Sequence, residues 1–485
     1  MGYLAGFDVG SSSTKGTLLD SQTGRVVATY TSPQSELRIY APQTGWAEQN
    51  PETWWTHVRE VSGRLLDGRD SKDVEGIGIS YQMHGLVIVD KAGKVLRPAI
   101  IWCDGRTQDM ADRAAQELGP EFMESALNYP GNFTASKLAW VKQNEPETYA
   151  RIHKAMLPGD YIAMRLTGET CTTPSGLSEG IMWDFQGRDV LHPVLQYYGI
   201  GPALLPDVKP TFSVQGEVNG RAANATGFAK GTPVAYRAGD QPNNAFSLKV
   251  LNPGEMAATA GTSGVVYAVT DQNAFDPQSR VNVFGHVNGR NGILACISGA
   301  GCANRWMRDA TAGDYASMNR MAAKVAPGSD GVIVFPYGNG PERTLGGKYT
   351  GFCIEDVDLN RHGNGHLSRA VQEGVVYAIR KGTDIMANMG APVRSVRAGK
   401  ANMFKSGVFG DIFANAVGAE VELMDTDGSQ GAARGAGVGI GTYATPEEAF
   451  VGLKPVRTIS PNPAVQQRYG ELYSEWSDRL QRKLQ

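Results

Sequence analysis

The chain has 485 residues, 41% of them hydrophobic and 20% charged, with a formal net charge of -3. That is ordinary for a soluble globular protein of two or three domains, and it gives neither nucleic acid nor an anionic membrane surface an electrostatic reason to bind. The five cysteines (Cys103, Cys171, Cys296, Cys302 and Cys353) form no C-x-x-C pair, so a reducing cytoplasm is expected rather than a disulfide framework or a zinc site. The first residues, MGYLAGFD, have no basic and apolar leader pattern, so no secretory signal is expected. No apolar run approaches the roughly 20 residues that span a bilayer.

In chain order, residues 3–9 read as a short apolar strand, Gly10 to Ser13 as a turn, 14–20 as a second strand, 21–24 as a turn and 25–31 as an alternating third strand. A helix follows with Asn50 as its N-cap and Pro51 and Glu52 in the first turn; Trp54, Val58, Val61 and Leu65 recur at helical spacing. Strands are expected at 74–80, 86–90 and 99–102, and helices at 104–118 and 134–144. Residues 172–230, rich in Gly, Pro and small side chains, give no clear element. Beyond 231, strand-and-turn pieces at 257–264, 292–297 and 331–336 alternate with helices, of which 366–389 and 408–418 are the clearest. The pattern is α/β, with a β-meander opening each half and a boundary near 240–255.

Four segments can carry chemistry. In Asp8-Val9-Gly10-Ser11-Ser12-Ser13-Thr14-Lys15, a carboxylate ends a strand and a small hydroxyl-rich turn leads to a lysine. Backbone N–H groups in such a turn can hold phosphate oxygens, and the aspartate can hold Mg²⁺ through water. Taken alone, a plain hairpin with a capping aspartate explains it equally well. The Walker A pattern G-x-x-x-x-G-K-[ST] is absent. Gly261-Thr262-Ser263-Gly264 repeats the strand-then-hydroxyl-turn logic. Asp240 follows a short strand and precedes a helix, where it is either an N-cap or the carboxylate that phosphoryl transfer to an alcohol requires. Gln82-Met83-His84-Gly85 places a polar cluster at a strand end, with Trp102 and Asp104 one hairpin later; sugar hydroxyls and a sugar face would suit them, and so would a structural role.

Together these segments resemble the FGGY carbohydrate kinases, and within them the xylulokinases, along nearly the whole chain. Asp8 to Lys15 is similar to the family's first phosphate loop, and Gln82-Met83-His84-Gly85 to the xylulokinase sugar motif, where glycerol kinases carry an Arg-Glu pair. Leu96 to Arg106 matches the stretch that follows, and Phe133 to Trp140, with Lys137, resembles the first signature. Asp240 falls on the catalytic base, Gly261-Thr262-Ser263 on the second phosphate loop, and Pro336-Tyr337 with Glu342-Arg343-Thr344 on the P-Y-x-x-G-E-R-T stretch. Three places depart from the pattern. Ala401, Asn402 and Met403 stand for the glycine triplet near the adenosine, Asn132 begins the first signature, and Gln241-Pro242-Asn243-Asn244 follows the aspartate.

The resemblance implies two actin-like, ribonuclease-H-like domains, residues 1–246 and 247–485, with a nucleotide cleft between them. The first would carry the sugar site, the first phosphate loop and the catalytic aspartate; the second would carry the other phosphate loop and the adenosine site. The implied reaction is ATP-dependent phosphorylation of a terminal hydroxyl of a small keto-sugar, D-xylulose giving D-xylulose 5-phosphate. In it, Asp8 holds Mg²⁺ through water, and Gly10, Ser11, Ser12, Ser13, Lys15, Gly261, Thr262 and Ser263 hold phosphates. Gly399 and Asn402 face the adenosine, and Met83, His84, Trp102, Asp104, Asp240 and Gln241 hold the sugar. Asp240 accepts the proton of the attacking hydroxyl. A cytoplasmic enzyme with a small-molecule sugar substrate, no nucleic acid and no membrane partner is implied, and a homodimer stays open. The rivals are an FGGY kinase for ribulose, another ketose, a sugar acid or a polyol, a non-catalytic sugar or nucleotide sensor, and an actin- or chaperone-type ATPase.

Overall fold

A computed structural model describes residues 2–485. The chain divides into two compact units. The first takes in the described residues up to Leu251 together with Phe284–Asn291 and Thr426–Leu453; the second holds Asn252–Val283, Gly292–Asp425 and Lys454–Gln485.

The first unit is built on strands β1 (Tyr3–Val9), β2 (Thr14–Asp20), β3 (Val26–Ser32), β4 (Val74–Tyr81), β5 (Phe212–Glu217) and β6 (Pro233–Gly239), in the order β5-β6-β4-β1-β2-β3. β1 and β2 form an antiparallel hairpin, β3 continues the meander, and β4 runs parallel to both β1 and β6. Alternate residues serve the two faces. Phe7, Val9, Ile77 and Ile79 pack with Trp54, Val58, Val61 and Leu65 of the helix Pro51–Leu65. Leu4 and Leu19 pack with Ala432 and Ala433 of the helix Gly428–Gly439. That second helix lies backbone-close to the sheet because glycines line the contact. A Cβ on Gly6 would fall 2.0 Å from the Ser429 carbonyl oxygen, and one on Gly439 1.9 Å from that of Ala235.

The second unit repeats the plan. Its strands, apart from Phe284, Gly285 and Asn291, which fall in the first unit, are β7 (Glu255–Ala260), β8 (Gly264–Thr270), β9 (Asn282–Gly285), β10 (Asn291–Ile297), β11 (Ser395–Gly399), β12 (Glu420–Met424) and β13 (Pro455–Ile459), ordered β9-β10-β8-β7-β11-β12-β13. β7 and β8 are an antiparallel hairpin, and β7, β11 and β12 are parallel. The helix Asn364–Asn388 runs through this unit, buried over most of its middle. In each unit, therefore, a hydroxyl-rich turn joins the hairpin strands, and the parallel strands present their carboxyl ends at one edge. That edge is where open α/β sheets bind ligands.

The sequence misplaced or missed several elements. The helix expected at 104–118 spans Gln108–Ala126 and is broken at Gly119, whose φ of 70° the following Pro120 accepts as a fresh start. The strand expected at 99–102 ends at Ile100, leaving Trp102 on a loop. Residues 172–230 resolve into short pieces, among them the helices Pro174–Glu179, His192–Tyr198 and Gly220–Thr226. Among the described residues, no helix is long and apolar enough to cross a membrane.

Candidate active site

Carboxylates gather at the edge where β1, β4 and β6 end. Asp8 pairs in register with Lys15 on β2 and with Ser80 on β4. Ser80 Oγ donates to Asp8 Oδ1 at 2.9 Å. Burial, with the nearby Asp427 charge, lifts Asp8 to about 6, against the Ser80 hydrogen bond and Lys15, which pull it down. Asp240 opens the helix Asp240–Ser247 directly after β6. Burial lifts its carboxyl to about 7; the charge of Asp8 adds to this, and hydrogen bonds from Gln241 oppose it. Lys15 Nζ lies 2.7 Å from Asp427 Oδ2. Asp427 caps the helix Gly428–Gly439, accepting from Gln430 N at 3.1 Å and from Ser429 Oγ at 2.7 Å. Burial pushes Asp427 up, but these bonds and the lysine hold it below the usual carboxylate range. Gly428 lets this helix start close to the site: a Cβ there would sit 2.4 Å from Asp8 Oδ2 and 3.1 Å from Asn244 Oδ1.

The Gln82–Gly85 turn leaves β4 at the same edge. Met83 is buried, and Gly239, the residue before Asp240, approaches it so closely that a Cβ would meet Met83 Cγ at 2.6 Å. His84 holds a left-handed φ of 60°, a conformation that an ordinary side chain needs outside support to keep. Glu179 supplies that support. Its Oε2 accepts from His84 N at 3.1 Å, its carbonyl accepts from His84 Nδ1 at 2.8 Å, and its Oε1 accepts from Tyr81 OH at 2.5 Å. Burial drives the Glu179 carboxyl well above its ordinary value, in spite of the Tyr81 and His84 hydrogen bonds. From the other side Lys137, fully buried, donates to His84 O at 2.7 Å and to Ile101 O at 3.0 Å, so one ammonium ties the His84 turn to the segment leading to Trp102. Lys137→Met, which removes the Lys137 hydrogen bonds to both of these buried carbonyls, should cost about 1–3 kcal/mol, read as a lower urea midpoint.

The first turn is tied into this cluster. Gly10 N donates to Ser13 O at 2.9 Å, and Ser12 O accepts from Leu37 N at 2.8 Å. Gln49 Nε2 donates to Ser11 O at 2.7 Å, and Gln82 Nε2 reaches Gln49 Oε1 at 3.3 Å. Trp102 is 52% exposed and donates from its indole nitrogen to Ser11 Oγ at 3.3 Å. Asp104 lies apart from these in its bonding: it is fully buried, and both oxygens are taken up within the protein. Oδ1 accepts from Arg106 N and Nε, each at 2.9 Å, and Oδ2 accepts from Arg106 Nη2 at 2.7 Å and Ala47 N at 2.5 Å. Asn132, at the start of the first signature, donates to the Asp104 carbonyl.

In the second unit, the Gly261–Gly264 turn is clasped by the start of the helix Ala300–Thr311. Gly301 N donates to Thr262 O at 3.0 Å, and a Cβ on Gly301 would fall 1.8 Å from Gly261 O. Gly399 ends β11, and Asn402 just beyond takes a φ of 51°, which asparagine tolerates better than most residues. Gly261 approaches Asn402, with a Cβ there 3.1 Å from Asn402 Nδ2. Gly261, Thr262 and Asn402 line one cavity of about 380 Å³. The Ser263 hydroxyl hydrogen-bonds the Cys296 thiol; burial takes that thiol up to about 11 against this bond.

Each unit thus gathers its own share of the sequence-derived residues. Asp8, Lys15, Met83, His84, Trp102, Asp240 and Gln241 belong to the first, and Gly261, Thr262, Ser263, Gly399 and Asn402 to the second. Two carboxylates at the first edge escaped the sequence reading. Asp427 carried a signal, an acidic residue after an apolar strand and before Gly-Ser; Glu179, inside the segment that gave no clear element, carried none.

Comparison with known proteins identifies the family. The model of the FGGY family of carbohydrate kinases, N-terminal domain, matches residues 3–247, and that of the C-terminal domain matches residues 256–440. The chain is 32% identical to a xylulose kinase of Escherichia coli K12 over 93% of its own length and 92% of that protein. It is 30% identical to one of Lactococcus lactis, covering 98% and 96%. The crystal structure of a xylulose kinase from Rhodospirillum rubrum superposes with a TM-score of 0.90 at 27% identity, over 98% of each chain. A gluconate kinase from Lactobacillus acidophilus superposes equally well, with a TM-score of 0.91 at 20% identity over 99% of this chain and 98% of that one, so the fold alone does not choose the sugar. The two-domain, actin-like α/β fold expected from the motifs is the fold observed, and the chain belongs to the FGGY family of carbohydrate kinases.

Proposed function

We propose that the protein transfers the γ-phosphoryl group of ATP to the terminal hydroxyl of D-xylulose, giving D-xylulose 5-phosphate and ADP. The observation that carries this reading is the edge of the first unit, where a buried carboxyl raised to about 7 stands beside the Met83-His84 turn. A carboxylate titrating near neutrality can orient an alcohol and accept its proton late in the transfer. In this reading Asp240 takes the proton of O5 as that oxygen attacks the γ-phosphorus in line and ADP leaves. His84, Met83 and Gln241 hold the sugar, Trp102 offers it a flat face, and Asp104 acts behind them by fixing Arg106 and the Ala47 backbone. Residues 1–246 then carry the sugar and the base, and 247–485 the second phosphate turn and the adenosine seat.

Mg²⁺ fits Asp8. The Ser80 bond takes Oδ1, and Gly428 leaves room beside Oδ2 that a side chain would fill. Among the described residues no group of three or more His, Cys, Asp or Glu side chains forms a metal site, so the cation would draw its remaining oxygen ligands from water and phosphate. When bound, it supplies positive charge against the phosphate oxygens. Lys15 would have to share its ammonium between Asp427 and a phosphate. We place the enzyme in the cytoplasm.

The test is ADP release with Mg-ATP, alone and with D-xylulose, L-xylulose, ribulose, glycerol or gluconate. Strong stimulation by D-xylulose above the others is expected. Preference for another acceptor would keep the kinase and replace the substrate. Nucleotide binding with no stimulation by any sugar would favour a sensor on the same fold.

A further inference from the structure

Three helices of the second unit each bring a carboxamide to the cavity beside the Gly261 turn. Asn304 comes from Ala300–Thr311, Asn319 from Tyr315–Ala322 and Gln372 from Asn364–Asn388. Asn304 is 6% exposed and Gln372 1%. Gln372 Nε2 donates to Asn319 Oδ1 at 3.1 Å and leaves the amide oxygen over. Gln372 Oε1 and Asn304 Oδ1 are both buried with no hydrogen-bond partner in the protein. Folded proteins rarely leave buried polar atoms in this state, and each such atom calls for a partner from outside the chain. Met403 and Phe409 add apolar surface to the same lining. The cavity is thus a partly apolar slot with two idle acceptors beside a turn that suits phosphate, and its volume of about 380 Å³ lies in the range of small-ligand sites.

We propose that Asn304 and Gln372 read the exocyclic amine of adenine and so set which nucleotide this enzyme uses. The proposal rests on the reading above that places ATP phosphates at the Gly261 turn. The 6-amino group of adenine offers two hydrogens, one for each acceptor. The 6-oxo group of hypoxanthine or guanine would turn lone pairs toward both oxygens and leave all three unsatisfied. Leucine at either position would keep the apolar grip on the ring and lose the distinction between the two bases.

Calorimetric titration of the whole protein with ADP and with IDP, magnesium present and sugar absent, tests this. ADP should bind at least roughly tenfold more tightly than IDP. Gln372→Leu and Asn304→Leu should each weaken ADP, leave IDP nearly unchanged and bring the ratio toward one, with circular dichroism confirming the fold. Equal affinities in the unaltered protein, binding of neither diphosphate, or an unchanged ratio in both folded variants would overturn the proposal. The unaltered protein decides by itself if a variant does not fold. Because no sugar is present, the two readings fail separately. An ADP preference without sugar-dependent turnover removes the sugar assignment alone, whereas equal affinities in an active kinase remove the base assignment alone.

Discussion

Replacing Asp240 by asparagine should lower the sugar-dependent rate by roughly 10²–10⁴-fold while leaving ADP affinity nearly unchanged. Asparagine keeps the size of the side chain at the start of the helix after β6, but it cannot accept a proton. The loose transition state of phosphoryl transfer leaves the proton on the attacking oxygen until late, which favours the lower part of that range. The pH profile supplies a second check. Burial, then the charge of Asp8, raises Asp240 to about 7, and the reaction needs the carboxylate form. Turnover should therefore rise with pH along an acid limb well above the usual carboxylate range. Since Asp8 and Asp240 influence one another, that limb belongs to the pair. Steady-state kinetics from pH 5 to 9 on both proteins reads the two effects. An asparagine variant that keeps a tenth of the rate would remove Asp240 as the base.

The parts of this site that were legible in the sequence are local. Asp8 and Asp240 each stand at the end of a strand, Gly10 to Ser13 and Gly261 to Ser263 each fill a turn, and the capping of the helix at Pro51 reads off three consecutive residues, Asn50 to Glu52. Strand ends, turns and caps depend on neighbours in the chain, so residue order alone exposes them. What stayed hidden depends on residues far apart. Lys15 stands out in the sequence, yet its partner Asp427 is 412 positions away. Trp102 and Asp104 look equivalent on paper as sugar contacts. One is half exposed, while the other is buried and saturated by Arg106 and Ala47, a difference that only tertiary packing decides. The helix Gly428–Gly439 is an omission with a physical cause. Gly428, Gly431, Gly435, Gly437 and Gly439 give it poor intrinsic helicity, so residue order carries no helical signal there. The same glycines let it approach the sheet, so packing overrides propensity there.

That inversion gives the second large effect. Gly78→Ala, a single added methyl in the centre of β4, should cost about 3 kcal/mol or more, at or beyond the upper end of the usual cost of overpacking. The new Cβ would lie 1.9 Å from the Ala432 carbonyl oxygen and 2.7 Å from its carbon. Both are backbone atoms, so no rotamer change relieves the clash, and the helix Gly428–Gly439 has to move away as a body. Its start carries the Asp427 contact with Lys15 and the Gly428 approach to Asp8, so the displacement reaches the Asp8 edge as well as the core. Urea denaturation should show a lower midpoint, with sugar-dependent turnover reduced in the protein that still folds. Gly63→Ala is the control of opposite sign. Gly63 lies inside the helix Pro51–Leu65, and an added Cβ there meets nothing within 4 Å. Alanine should stabilise that helix by roughly 0.5–1 kcal/mol through lower backbone entropy in the unfolded chain. If both substitutions shift the midpoint alike, glycine at 78 is a matter of backbone entropy and the close helix contact is not what requires it; opposite shifts place the requirement at the Ala432 carbonyl.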